Sequence, residues 1–149
     1  MSIIYKLLSE IFSEDFSGDI NSMIENGVGA GDNEGVGAST YFNEIGFTVI
    51  GVVALITVLH YIVIDHPRFN KALHWCVVLL INVVLSFGIS WIWMNNLLVK
   101  ENLLTVENTI PESFTLNFAE MNGIFAIIVF FVASMIAKYF SNNNRYNPF

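Results

Sequence analysis

The groups in this chain that could do chemistry are few, and most of them sit inside long apolar runs. Asn82, Ser86 and Ser90 recur at i, i+4 and i+8, a spacing that puts one amide and two hydroxyls on a single narrow face of a helix. Polar side chains so placed either line a water-filled path or form hydrogen bonds between helices. Thr57 and His60 stand one helical turn apart in the preceding run, and His74 opens the run that holds the polar stripe. Together these five make the candidate pore-lining or interhelical polar set.

Harder chemistry is not supported. The three histidines, His60, His66 and His74, are never three or four residues apart, so no pair of ligands shares a helix face, and no metal site is expected. Cys76 stands alone and reads as a small buried apolar side chain. Ser86 has no base positioned to activate it, and no Asp or Glu lies within the apolar runs to relay a proton. The sequence therefore predicts a non-enzymatic protein without catalytic residues or cofactors.

The elements that must hold these groups follow from hydropathy. Apolar residues make up 54% of the 149, charged residues only 13%, and the mean hydropathy is +0.60. A soluble domain carries about 25% charged residues, so this chain lacks the polar cover for water. Six Lys and Arg against thirteen Asp and Glu exclude a nucleic-acid-binding surface. Three runs, 45–64, 72–97 and 121–140 with their aromatic and polar margins, reach the roughly 17–25 residues needed to cross a bilayer, and none holds an Asp, Glu, Lys or Arg before Lys138 at the end of the third. Backbone groups in hydrocarbon must be satisfied within the segment, so each is expected to be a transmembrane helix. Tyr41, Phe42, Trp75, Trp91, Trp93, Tyr139 and Phe140 flank the runs at positions suited to an interfacial aromatic belt. Gly123, Ala126, Ala133 and Ala137 give the third span a small-residue face, the candidate packing interface with another helix.

Charge sets the expected orientation. The short loop 65–71 holds Arg68 and Lys71, and the tail after the third span holds Lys138 and Arg145. Residues 1–45 carry one base and eight acids, and the loop 98–120 carries Lys100 against four glutamates. The positive-inside rule then puts the first loop and the tail 141–149 in the cytoplasm and the N-terminus outside, in an inner cell membrane.

Ahead of the spans, Ile3, Ile4, Leu7, Leu8, Ile11 and Phe12 begin an apolar stripe that continues through Phe16, Ile20, Met23 and Ile24. The stripe predicts an amphipathic acidic helix over residues 1–26, with Ile4, Leu7, Leu8, Ile11 and Phe12 as its docking face. An acidic polar face suits protein better than anionic lipid. Residues 27–44 contain Gly27-Val28-Gly29-Ala30 repeated as Gly35-Val36-Gly37-Ala38 and read as a glycine-rich linker. In the loop 98–120, Phe114, Leu116 and Phe118 alternate with Thr115 and Asn117, which predicts a strand able to pair with Leu103–Val106 in a short β-hairpin.

The expected fold is thus an all-α membrane protein with three transmembrane helices, an N-terminal amphipathic helix and a small external hairpin. In size, span number and orientation the chain is loosely similar to class I phage holins, a resemblance that implies an oligomeric pore; its tail SNNNRYNPF lacks a basic cluster. Three helices alone make a thin bundle. The residues point first to an integral subunit that assembles in lipid with itself or with other membrane-complex subunits, and second to a homo-oligomeric pore lined by the second span.

Overall fold

The computed structural model describes residues 2–9, 38–63, 72–100 and 113–141, all of them in helices apart from a closing turn. Helix α1 covers Ser2–Ser9, α2 Ala38–Val58, α3 Ala72–Lys100 and α4 Ser113–Ala137, and α2 runs on into a single π-helical turn at Leu59–Val63. Three of these helices are long and apolar enough to cross a membrane: Phe42–Val63, Ala72–Leu97 and Ser113–Ala137, of 22, 26 and 25 residues. At 1.5 Å per residue they are about 33–39 Å long, against a hydrocarbon core of about 30 Å.

The three long helices pack in up-down-up order. Helix α4 is the central member, with α3 along one side and α2 along another, while α2 and α3 also touch. Its inward residues show why. Phe114, Phe118, Met121, Phe125, Ala126 and Phe130 are all buried and repeat at helical spacing, and Phe42, Ile45, Val49 and Val53 of α2 meet them. At the far end α4 tightens: Lys138 N still bonds Ser134 O at 3.0 Å, but Tyr139 N and Phe140 N reach back only three residues, to Ile136 O and Ala137 O. Tyr139 and Phe140, within this closing turn, are exposed.

Four expectations need correction. Residues 113–120 are helix, not strand, so the alternation of Phe114, Leu116 and Phe118 is incidental. The pattern that governs is Phe114, Phe118, Met121, Phe125, spaced four, three and four, which keeps one helix face inward and leaves Leu116 exposed. The third span for the same reason starts at Ser113 rather than 121. Residues 38–44, assigned to the linker, already belong to α2, because the inward row starts at Phe42. Phe42 itself is 1% exposed and belongs to the core, not to an aromatic belt. Of the predicted N-terminal helix only Ser2–Ser9 is described; its remainder, the glycine repeats, the Leu103–Val106 half of the hairpin, the first loop and the tail lie outside the described residues.

Candidate functional site

The most developed polar arrangement lies where α1 meets the bundle, at the end shared by the start of α2 and the start of α4. Tyr5 and Leu8, three residues apart, put one side of α1 against α2 and α4, and both are buried. The Tyr5 hydroxyl donates to Asn122 Oδ1 at 2.8 Å, and the Asn122 amide nitrogen donates to Phe118 O at 3.0 Å. Both ends of the Asn122 amide are thereby satisfied, which fixes its orientation. Three rings surround the phenol: Phe42 at 5.7 Å, Phe118 at 5.6 Å and Phe125 at 6.3 Å between centroids. Burial pushes the Tyr5 phenol well above its ordinary value of 10.0. Tyr5 is a neutral donor at physiological pH.

The polar stripe of α3 turns inward. Asn82, Ser86 and Ser90 are each fully buried. The Trp75–Phe130 ring contact at 5.4 Å and the approach of Val83 Cγ1 to within 3.6 Å of a Cβ built on Gly123 set the antiparallel register of α3 on α4. That register brings Ser86 level with Ala119 and Ser90 level with Thr115, both buried. The stripe therefore lies on a small-residue seam, where short side chains let two backbones approach. Asn82 Nδ2 bonds its own helix at Val78 O, 3.0 Å away, while Asn82 Oδ1, Ser86 Oγ and Ser90 Oγ have no hydrogen-bond partner in the bundle. The stripe is buried and closely packed, and its hydroxyls make no bond across to a neighbouring helix.

At the opposite end, Thr57 Oγ1 bonds back to Val53 O at 2.7 Å. The π-helical turn that follows buries two successive residues, His60 and Tyr61, whose rings meet edge to face at 4.9 Å. The Tyr61 phenol is directed at Ser134 and Trp75, with Ser134 Oγ outside hydrogen-bonding geometry. On α4, Gly123, Ala126 and Ala137 are buried, whereas Ala133 sits half-buried on the flank and Ser134 takes the inward place beside it. Among the described residues no group of three His, Cys, Asp or Glu side chains could hold a metal. Cys76, expected to be buried, is instead an exposed free thiol on the outer side of α3.

The predicted docking face of the N-terminal helix is divided. Leu8 is buried, Ile4 and Leu7 are exposed, and Ile11 and Phe12 lie outside the described residues. Tyr5, which anchors α1, stands outside the predicted stripe, although its spacing of three from Leu8 carried the signal. No protein-family model matches the chain, and neither a curated protein nor a solved structure is similar to it.

Proposed function

We propose that the chain is a non-enzymatic integral membrane subunit that assembles in the inner cell membrane, with itself or with partner proteins, its N-terminus outside and its C-terminus in the cytoplasm. The excess of Arg and Lys in the first loop and tail supports the orientation. One contrast among the glycines carries the assembly reading. Glycine inside a helix costs about 1 kcal/mol relative to alanine, which close approach of another backbone can offset. At Gly123 the position is covered within the chain, since a Cβ there would stand 3.6 Å from Val83 Cγ1 of α3. Gly51 in mid-α2 and Gly88 in α3 are not: a Cβ on either would meet nothing within 4 Å, and Gly51 faces outward. A helix of another subunit, crossing at Gly51, accounts for a residue that serves nothing in its own chain.

A pore lined by α3 would need Asn82, Ser86 and Ser90 on a shared central axis, and their burial against α4 favours the subunit reading over it. Single-molecule counting in lipid nanodiscs tests the proposal. The wild-type chain should appear in multiples, or with co-purifying partners, and Gly51→Leu should shift it to single copies without unfolding it. A wild-type chain that stays single and unaccompanied would overturn the reading. Ion flux through liposomes that changes with Asn82→Leu while assembly persists would move the case to the pore.

A further inference from the structure

We infer that α1 is an interfacial wedge: it leans on the bundle with Tyr5 and Leu8 and inserts Ile4 and Leu7 into the headgroup–acyl boundary of one lipid leaflet. The inference rests on the long helices spanning a bilayer and is independent of whether the chain assembles. At 3.6 residues per turn, neighbouring positions are about 100° apart, so the eight residues of α1 divide into contiguous sectors. Tyr5 and Leu8 occupy the one that faces α2 and α4. Ile4 and Leu7, 40% and 61% exposed, occupy the adjoining arc. By the period of the sequence alone, Ser2, Lys6 and Ser9 fall on the arc beyond the bundle-facing one and Ile3 falls beside Leu7. A short helix leaning on a membrane-spanning bundle, with an apolar side left free, is matched to the plane where lipid meets water.

Depth agrees. Tyr5 touches Phe42, the first residue of its span, and bonds Asn122 within the span of α4, so the anchored side of α1 reaches into the apolar layer rather than standing above it. At the same end Phe47 of α2 and Leu116 of α4 turn outward, extending the apolar surface that Ile4 and Leu7 join. Charge agrees too. The acidic residues that would repel anionic lipid begin only at Glu10, and α1 itself carries Lys6 and no acid.

The test uses the full chain in vesicles of phosphatidylcholine and phosphatidylglycerol, in a Cys76→Ser background. A nitrobenzoxadiazole label is placed at Ile4→Cys, Leu7→Cys or Lys6→Cys. Labels at positions 4 and 7 should emit blue-shifted light and be quenched several-fold more by lipids brominated near the headgroup end of the acyl chain than by lipids brominated deeper. The label at position 6 should stay unquenched, and tenfold dilution of protein in lipid should change nothing. Equal quenching at 4, 6 and 7, or none at 4 and 7, overturns the inference. So does a blue shift at 4 and 7 that escapes bromine or fades on dilution, since protein would then be the cover.

Discussion

Tyr5 and Asn122, 117 positions apart in sequence, are joined by a buried hydrogen bond of 2.8 Å that ties the first helix to the last. Asn122 also bonds its own backbone at Phe118 O, so the amide that receives Tyr5 is held rigid before the phenol arrives. The contact is local in space and remote in sequence, and several measurable properties depend on it.

Removing one partner should cost more than removing both. Tyr5→Phe leaves Asn122 Oδ1 buried and unpaired and should weaken the docking of α1 by about 1–3 kcal/mol. Tyr5→Ala, which also deletes a ring enclosed by Phe42, Phe118 and Phe125, should cost about 3–5 kcal/mol. The double variant Tyr5→Phe with Asn122→Leu should be less impaired than the sum of the two singles, since it leaves no stranded polar atom. Amide hydrogen exchange over residues 2–9 measures each, and simple additivity would count against the bond.

The same phenol predicts an alkaline limit. Tyr5 is neutral when docked and its folded pKa is raised, so its contribution is fully present below its ordinary value of 10.0. Above that value the undocked phenol ionises while the docked one resists. Docking of α1 should therefore weaken steadily as pH rises beyond 10.0, and Tyr5→Phe should abolish that dependence. Exchange or limited proteolysis of the N-terminus against pH reads the effect, and a slope that survives Tyr5→Phe would assign it to another group.

On α3 the expected sign is unusual for buried residues. Ser86 Oγ and Ser90 Oγ have no partner, so Ser86→Ala and Ser90→Ala remove a polar group without breaking a bond. Both should leave thermal stability in detergent unchanged or raise it by up to about 1 kcal/mol. Ser86→Leu, forced into the seam beside Ala119, should lose about 1–3 kcal/mol through overpacking. A large loss from Ser86→Ala would reveal a hydrogen bond that the packed bundle lacks.

Glycine at 123 is less constrained than its central place suggests. A Cβ there would stand 3.6 Å from Val83 Cγ1, an ordinary contact. Gly123→Ala should thus be tolerated and gain about 0.5–1 kcal/mol from helix propensity, whereas Gly123→Leu should force α3 and α4 apart. Thermal unfolding of the two variants side by side separates these outcomes.

Much of the architecture is legible because the bilayer imposes one rule on every span: apolar side chains over a sufficient length with all backbone bonds made inside the helix. Three charge-free runs meet it, and three helices follow. The ends of the helices are less legible. Phe114, Leu116 and Phe118 fit a period of two within five residues, and only the longer row through Met121 and Phe125 reveals a period of 3.6. Phe42 passes for a belt residue because aromatics suit both interface and core, and contact with Phe118 at 5.4 Å decides between them. The inward turn of Asn82, Ser86 and Ser90 could not be read at all, since a face shared by three polar residues looks the same whether it meets a pore axis or a neighbouring helix. The pairing of Tyr5 with Asn122 was equally hidden, because nothing local in either segment refers to the other.

That pairing also sets a schedule for biogenesis. At about 5–20 residues per second, the ribosome takes roughly 6–24 s to travel from Tyr5 to the codon of its partner. Until α4 has been made the N-terminal helix has no Asn122 to receive its phenol, and a chain cut short before α4 never supplies the berth. Completion of α4 is what supplies the partner that fixes the first helix in place.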